Sequence, residues 1–171
     1  PEGKAMGVAL AYDSRNMSSE FAEMSALVLN ANGIKAYIFD ELRPTPELSF
    51  AVRHLGCTAG IVVTASHNPP EYNGYKVYWA DGAQVVAPKD EGIISEVNSI
   101  TDFSAIKMMD KAEAVKNGLF KVVGKEIDDA FVENIKKQAV RPEEVIKAKN
   151  MKIVYTPLHG AGNKNVRRVL A

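Results

Sequence analysis

Apolar positions along this chain follow two alternating periods, and that alternation predicts the fold. Residues 6–11 (MGVALA), 34–39 and 59–63 are short apolar runs of strand length, bounded by polar or turn-forming residues. Between the first two, Phe21, Met24, Val28 and Ala31 recur at helical spacing. Ser18 or Ser19 is placed to cap this helix, Glu20 and Glu23 lie near its positive end, and Gly33 stops it. Thr45 as cap and Pro46 as first helical residue open a second helix that runs to Leu55 and closes at Gly56. Residues 75–79 and 83–86 flank Ala80-Asp81-Gly82, which predicts a hairpin turning at Asp-Gly and hence one antiparallel pair. Residues 89–100 read as a helix with Ile93, Val97 and Ile100 on one face, 119–123 as a strand, and 126–140 as a helix with Ile127, Phe131 and Ile135 along one side. The mixed stretch 101–118 predicts no firm element.

Strands alternating with helices imply an α/β domain: three α/β/α layers around a mixed, mostly parallel sheet. After the charged segment 142–149 a new strand (152–155), a loop and a helix (163–171) predict a domain boundary near Asn150, with residues 1–149 as one domain and 150–171 as the start of another. The helix at 163–171 ends without a glycine cap or a following element, and the first residue is not methionine. The expectation is a piece of a longer protein.

Composition removes several classes of function. The 171 residues carry 21 basic and 21 acidic side chains with no basic block, so neither nucleic acid nor an anionic membrane is the expected partner. No apolar run approaches the roughly 20 residues that span a bilayer, which predicts a soluble, cytoplasmic protein. The single cysteine, Cys57, forbids an internal disulfide and reads as a buried structural thiol.

Ligands in α/β sheets gather beyond the carboxyl ends of the strands. Three segments qualify: Tyr12-Asp-Ser-Arg15, Thr64-Ala-Ser-His-Asn68 and Thr156-Pro-Leu-His-Gly160. Arg15 offers a planar fork suited to phosphate, although an arginine is more often a surface or structural residue. Ser66 offers a hydroxyl, although serine in a turn commonly bonds local backbone, as does asparagine before proline. The grouping of Ser66, His67, Asn68, Asn73 and Lys76 between two strands, bent by Pro69 and Pro70, favours a site, because polar groups so near a core must be paired or wet. Other chemistries fail on spacing. Ser66 lacks the flanking glycines of a hydrolase elbow, Gly118 and Gly124 before Lys125 stand one residue too far apart for a phosphate loop, and Asn165 replaces the third glycine of a dinucleotide fingerprint after Gly160 and Gly162. One cysteine and histidines at 54, 67 and 159 make no zinc spacing.

At these residues the sequence resembles the α-D-phosphohexomutase superfamily, which includes phosphoglucomutases and phosphomannomutases. Thr64-Ala-Ser-His-Asn-Pro69 matches its phosphoserine loop, and Tyr12-Asp-Ser-Arg15, Arg43-Pro-Thr-Pro46, Asn73-Gly-Tyr-Lys76 and Asp81-Gly82-Ala83 follow in the family's order. The wording PPEYNGYKVYW and Pro157-Leu-His-Gly-Ala-Gly162 are most similar to the phosphoglucomutase/phosphopentomutase branch. The likeness covers nearly the whole chain and is weakest over 101–149.

The resemblance implies the fold of that family's first domain and a sugar-phosphate mutase that works through a phosphoserine and a bisphosphate intermediate. It implies that Ser66 carries the phosphoryl group, that Lys76 and Arg15 lie near the transferred group with Lys76 moving a proton, that His67 hydrogen-bonds in the active site, and that Asn68, Asn73 and Tyr12 bind substrate or phosphate. It also implies Mg2+ on the Ser66 phosphate, with the metal carboxylates supplied by other domains of the same polypeptide, since no Asp-x-Asp-x-Asp run occurs here. The family's opening Gly-Thr-x-Gly-x-Arg segment is likewise missing, so an N-terminal strand is expected to be missing too, and these residues alone are expected to be inactive. Glucose phosphates are the leading substrates, with mannose or pentose phosphates, a sugar bisphosphate synthase and a non-catalytic phosphosugar-binding protein as alternatives.

Overall fold

The computed structural model describes residues 2–148 and 150–171; residue 149, where the expected domain boundary falls, lies outside the described residues. The first apolar run forms β1 (Val8–Tyr12), with Met6 closing a short helix, α1 (Glu2–Met6), rather than opening the strand. β1 is the centre of a five-stranded sheet. On one side it pairs in parallel with β2 (Ala36–Phe39), which pairs in parallel with β5 (Phe120–Val123). On the other it pairs in parallel with β3 (Ala59–Val63), and β4 (Tyr75–Trp79) completes the order β4-β3-β1-β2-β5 as an antiparallel edge. The sheet is therefore mixed and mostly parallel, as expected.

Period-two alternation splits the core into two layers. Val8, Leu10, Ile38, Ile61 and Val63 face α2 (Ser18–Ala31) and α5 (Lys111–Lys116), whereas Ala9, Ala11 and Val62 face α3 (Thr45–His54) and α6 (Lys125–Lys136). Cys57 is buried in the second layer, and burial pushes its thiol up to about 11, which leaves it an inert packing residue.

Several expectations need correction. The hairpin at Asp81-Gly82 is rudimentary: residues 83–86 return as one bridge, Tyr78 to Gln84, and β4 takes its five-residue ladder from β3 instead. A buried apolar strand offers more pairing than a return segment that Pro88 cuts short. In α2 the buried residues are Ser18, Ala22, Ala26, Leu27 and Asn30, while Phe21 and Met24 are 42% and 51% exposed. The period is right and the face is displaced, because small alanines let the helix backbone settle close to the sheet. Met17, in the left-handed region, precedes this helix in place of a serine cap; Ser18 is buried and turns its hydroxyl to Asp13. Pro44, not Thr45, caps α3. The helix at residue 89, α4 (Lys89–Ser99), buries no residue. Within 101–118 lie a 3-10 turn (Phe103–Ala105) and α5, whose cap Asp110 accepts the Glu113 N–H at 3.0 Å. α6 buries Ile127 and Phe131 as predicted but ends at Lys136. Beyond it come α7 (Pro142–Lys147) and α8 (Asn163–Leu170), and the strand predicted at 152–155 pairs with nothing among the described residues.

α8 lies against α6, and a buried ionic cluster joins them to α3. Arg43 is 1% exposed and donates from Nε and Nη2 to both carboxylate oxygens of Asp128, at 2.7 and 3.1 Å. Its Nη2 also reaches Asp40 at 3.0 Å, and Glu47 lies 3.8 Å from Nε. From α8, the Asn165 amide donates to Glu47 at 2.5 Å, and Lys164 and Arg168 stand 3.7 and 3.8 Å from Asp128. Burial first, and then a hydrogen bond shared with Asp128, pushes the Glu47 carboxyl up to about 7. Burial opposes ionisation of Asp128 as well, yet the Arg43 and Glu47 hydrogen bonds hold it below its ordinary value, so the negative charge rests on Asp128.

Two consequences can be measured. Replacing Arg43 by Met leaves Asp128 ionised in a dry site and is expected to cost about 3–5 kcal/mol in urea denaturation, because a broken buried pair strands its partner; a loss below about 1 kcal/mol would show that the cluster is solvated. The folded Glu47 pKa lies above the unfolded one, so its contribution is fully present below about pH 4.5 and is lost as pH rises through about 7. Stability is therefore expected to fall between about pH 5 and about pH 8, by up to about 3 kcal/mol, and Glu47→Gln should flatten that slope. Parallel slopes for both proteins would rule Glu47 out as the titrating group.

Candidate functional site

The loops after β1, β2 and β3 open on the same end of the sheet, at the carboxyl ends of its parallel strands, and residues 157–164 close over them from the side. Between them is a cleft of about 1220 Å3 lined by residues 13–16, 41–42, 66–68, 70, 157–161 and 163–164. Ser66, His67 and Asn68 all line it.

The loop that carries Ser66 is built from its backbone outward. Thr64 and Ala65 continue β3 and stay buried; Ser66 then turns into the left-handed region with φ 56° and becomes exposed. A non-glycine residue there costs about 1 kcal/mol or more, so the surroundings must hold it. The Thr64 hydroxyl accepts the Ser66 N–H at 3.0 Å, and the Asn68 N–H bonds the Ala65 carbonyl at 3.1 Å. A second turn follows at the prolines, from the Tyr72 N–H to the Pro69 carbonyl at 3.1 Å. At the base, the Thr64 N–H bonds the Gly74 carbonyl at 3.0 Å, and a Cβ at residue 74 would stand 2.6 Å from the Thr64 carbonyl oxygen, so only glycine fits. The Ser66 hydroxyl is left facing the cleft with His67 beside it, 3.3 and 3.4 Å from the two ring nitrogens. These are long contacts, equal within 0.1 Å, and commit the hydroxyl to neither nitrogen.

The other residues expected at the site are placed differently. Arg15 lines the cleft, but its guanidinium points into the Ser66 loop and donates to backbone carbonyls there. Asn73 braces the base of the loop: its amide nitrogen donates to the Ser18 hydroxyl at 2.9 Å and the Asn16 carbonyl at 3.2 Å, and its oxygen accepts the Gly74 N–H at 2.9 Å. Tyr12 ends β1 opposite Val63 and packs on the edge of the first core layer, with its phenol pKa raised by burial and then by Asp40. Lys76 sits within β4 opposite Val62 and lines no part of the cleft. Both stand at the cleft end of the sheet, Tyr12 as the last residue of β1 and Lys76 as the second residue of the antiparallel β4, beside the cleft lining rather than in it.

Sequence reasoning overlooked Asn16, Glu41 and Lys164, which the cleft contains. Glu41 follows β2 and obeys the same strand-end rule as the loops that were singled out; it lies 3.2 Å from the Lys164 ammonium. Lys164 comes from α8, and only the packing of α8 on α6 brings it here. The backbone carbonyl of His159, also in this wall, accepts a hydrogen bond from the Ser14 hydroxyl. Among the described residues no three His, Cys, Asp or Glu side chains converge as a metal cage, and Asp13, which lines the cleft, is committed to Arg15 and Ser18. No helix among the described residues is long and apolar enough to cross a membrane.

Comparison with known proteins agrees with this geometry. Residues 1–103 match the family model described as phosphoglucomutase/phosphomannomutase, α/β/α domain I. A "Probable phosphoribomutase" of Schizosaccharomyces pombe is 38% identical over 170 residues, covering 95% of this chain and 27% of the relative. A phosphoglucomutase of Staphylococcus haemolyticus is 36% identical over 155 residues, covering 91% of this chain and 27% of the relative. In fold, the chain superposes on the Paramecium phosphoglucomutase pp63/parafusin in its open form with a TM-score of 0.74 at 19% identity, over 98% of this chain and 34% of that one. The chain thus spans about a quarter to a third of the length of these proteins. A family model over most of the chain, and a sheet and strand-end cleft that agree with it, have one reading: this chain belongs to the phosphoglucomutase/phosphomannomutase family, with residues 1–103 matching its α/β/α domain I.

Proposed function

We propose that this chain is the phosphoserine-bearing part of a sugar-phosphate mutase, with Ser66 as the phosphoryl carrier. The observation that carries the proposal is the placement of one hydroxyl: exposed, in a loop braced by its own turns and by Arg15, and facing a cleft at the carboxyl ends of the parallel strands. In the forward half-reaction the bond from phosphorus to Ser66 Oγ breaks as a sugar hydroxyl bonds to the phosphorus, giving a bisphosphate and a free serine. After the bisphosphate reorients, its other phosphoryl group returns to Ser66 Oγ, and the isomeric monophosphate leaves with no net change in atoms.

Such transfers depend on positioning and charge neutralisation more than on covalent chemistry by the protein. His67, alongside Oγ, is placed to hydrogen-bond the seryl oxygen as it becomes a leaving group. Lys164, at the opposite wall, supplies positive charge. Asn68 shares the cleft with Ser66 and is the substrate contact proposed, and Lys76 and Tyr12, at the same end of the sheet but outside the cleft lining, are proposed for proton transfer and binding on the family resemblance alone. A magnesium ion would supply charge neutralisation at the phosphate; because the described side chains do not form its cage, its carboxylates would come from elsewhere in the polypeptide.

Glucose 1- and 6-phosphate are the substrates proposed, through glucose 1,6-bisphosphate. The phosphoribomutase relative, at 38% identity, favours pentose phosphates as a second reading. In the full-length protein, Ser66→Ala is expected to lower kcat by about a thousandfold or more, since it deletes the group that forms the intermediate. Assays on glucose 1-phosphate and ribose 1-phosphate, each with and without the matching bisphosphate, separate the substrates. Full activity in Ser66→Ala would leave the serine a bystander, and product formation only with an acyl phosphate donor would indicate a bisphosphate synthase.

A further inference from the structure

Arg15 has five N–H donors on its guanidinium, and each is directed into the protein. Nη1 donates to the carbonyls of Pro69 and Tyr72 at 2.8 and 3.0 Å. Nη2 donates to the carbonyls of Ser66 and Asn68, the first at 2.8 Å. Nε, which makes no hydrogen bond, faces the Asp13 carboxylate at 3.5 Å. The four carbonyls span the whole bend from the serine to the far side of the proline pair. The four Nη donors could grip a phosphate only by releasing part of the loop, and Nε, the one donor without a hydrogen bond, is buried away from the cleft's solvent.

We infer that Arg15 is a positioning residue, which fixes the Ser66 loop in the conformation that presents the seryl oxygen, and not a ligand of the transferred phosphate. Three features support this. The Ser66 carbonyl is itself one of the acceptors, so the guanidinium acts directly on the residue whose left-handed backbone must be held. The arginine is in turn fixed from its own side: Asp13 accepts the Arg15 backbone N–H at 3.0 Å and the buried Ser18 hydroxyl at 2.8 Å. Ser18 then accepts from Asn73, which closes a ring of contacts from the β1 loop, through the start of α2, to the foot of the Ser66 loop. Lysine cannot substitute, because one ammonium with three donors cannot reach four carbonyls spread across two turns.

The inference concerns the site proposed above and rests on that reading for its kinetic part only; the loop clamp is measurable without turnover. In the full-length protein, Arg15→Lys is followed by amide hydrogen exchange and by steady-state kinetics. The amides of Ser66, Asn68 and Tyr72 are expected to exchange at least about tenfold faster, with those of β1 and β3 unchanged as internal references. Where turnover is measurable, kcat is expected to fall by about tenfold or more while KM for the sugar phosphate changes by less than about threefold. Unchanged loop protection, or a raised KM at constant kcat, would overturn the inference in favour of direct phosphate binding. Equal loosening of the strands and the loop would also overturn it, by showing Arg15 to be a residue of the general fold. Absence of mutase activity in the wild-type protein together with a selectively loosened loop would defeat the functional reading and leave the clamp standing.

Discussion

Four carbonyl oxygens of one loop converge on one guanidinium, and the character of the site follows from that. A segment with two prolines and a left-handed serine has few ways to satisfy its backbone internally, because each proline lacks an N–H and the turns leave carbonyls pointing inward. Arg15 collects those carbonyls and returns a rigid bend whose outer face is free for the Ser66 hydroxyl. The arrangement costs a charge that is largely out of water, and Asp13 beside Nε offsets it. Order in the loop thus comes from a side chain about 50 residues away in sequence, fixed to the central strand of the sheet.

The opposite wall of the cleft depends on a second buried charge system. Arg43, Asp128 and Glu47 lie beneath α8, and Asn165, Lys164 and Arg168 bring α8 to them. Residues 157–162 enter α8 directly, so the polar seal between α8 and α6 also sets where His159 and Lys164 stand relative to Ser66. Of the two buried carboxyls, Glu47 is raised toward neutral pH and Asp128 is held ionised against the arginine, whose outer side meets Asp40.

Much of this was legible in the chain itself. β3 and β4 fall on the predicted residues because a short apolar run, bounded by turn-formers, allows few alternatives. The face of α2 was not legible: hydrophobicity assigns Phe21 and Met24 to the core, but close approach to a sheet selects Ala22 and Ala26. Residues 152–155 have the composition of a strand and no ladder among the described residues, since strand propensity is realised only where a partner edge is available. At the site, the grouping of Ser66, His67 and Asn68 was visible because those residues are adjacent. The work of Arg15 and Asn73 was not, because backbone carbonyls are present at every residue and leave no mark on side-chain composition. Asp128 left a faint one, as an acid one step from Ile127 on the buried arc of α6.

The central claim is that the Ser66 hydroxyl takes up a phosphoryl group and passes it on. Its most direct test is the intact mass of the full-length protein, with peptide mapping, after incubation with glucose 1,6-bisphosphate and again after adding a sugar monophosphate. The account predicts one added phosphate, located at Ser66 and removed by the monophosphate. A protein that turns over substrate with Ser66 unmodified throughout, or with the phosphate on another residue, would contradict it.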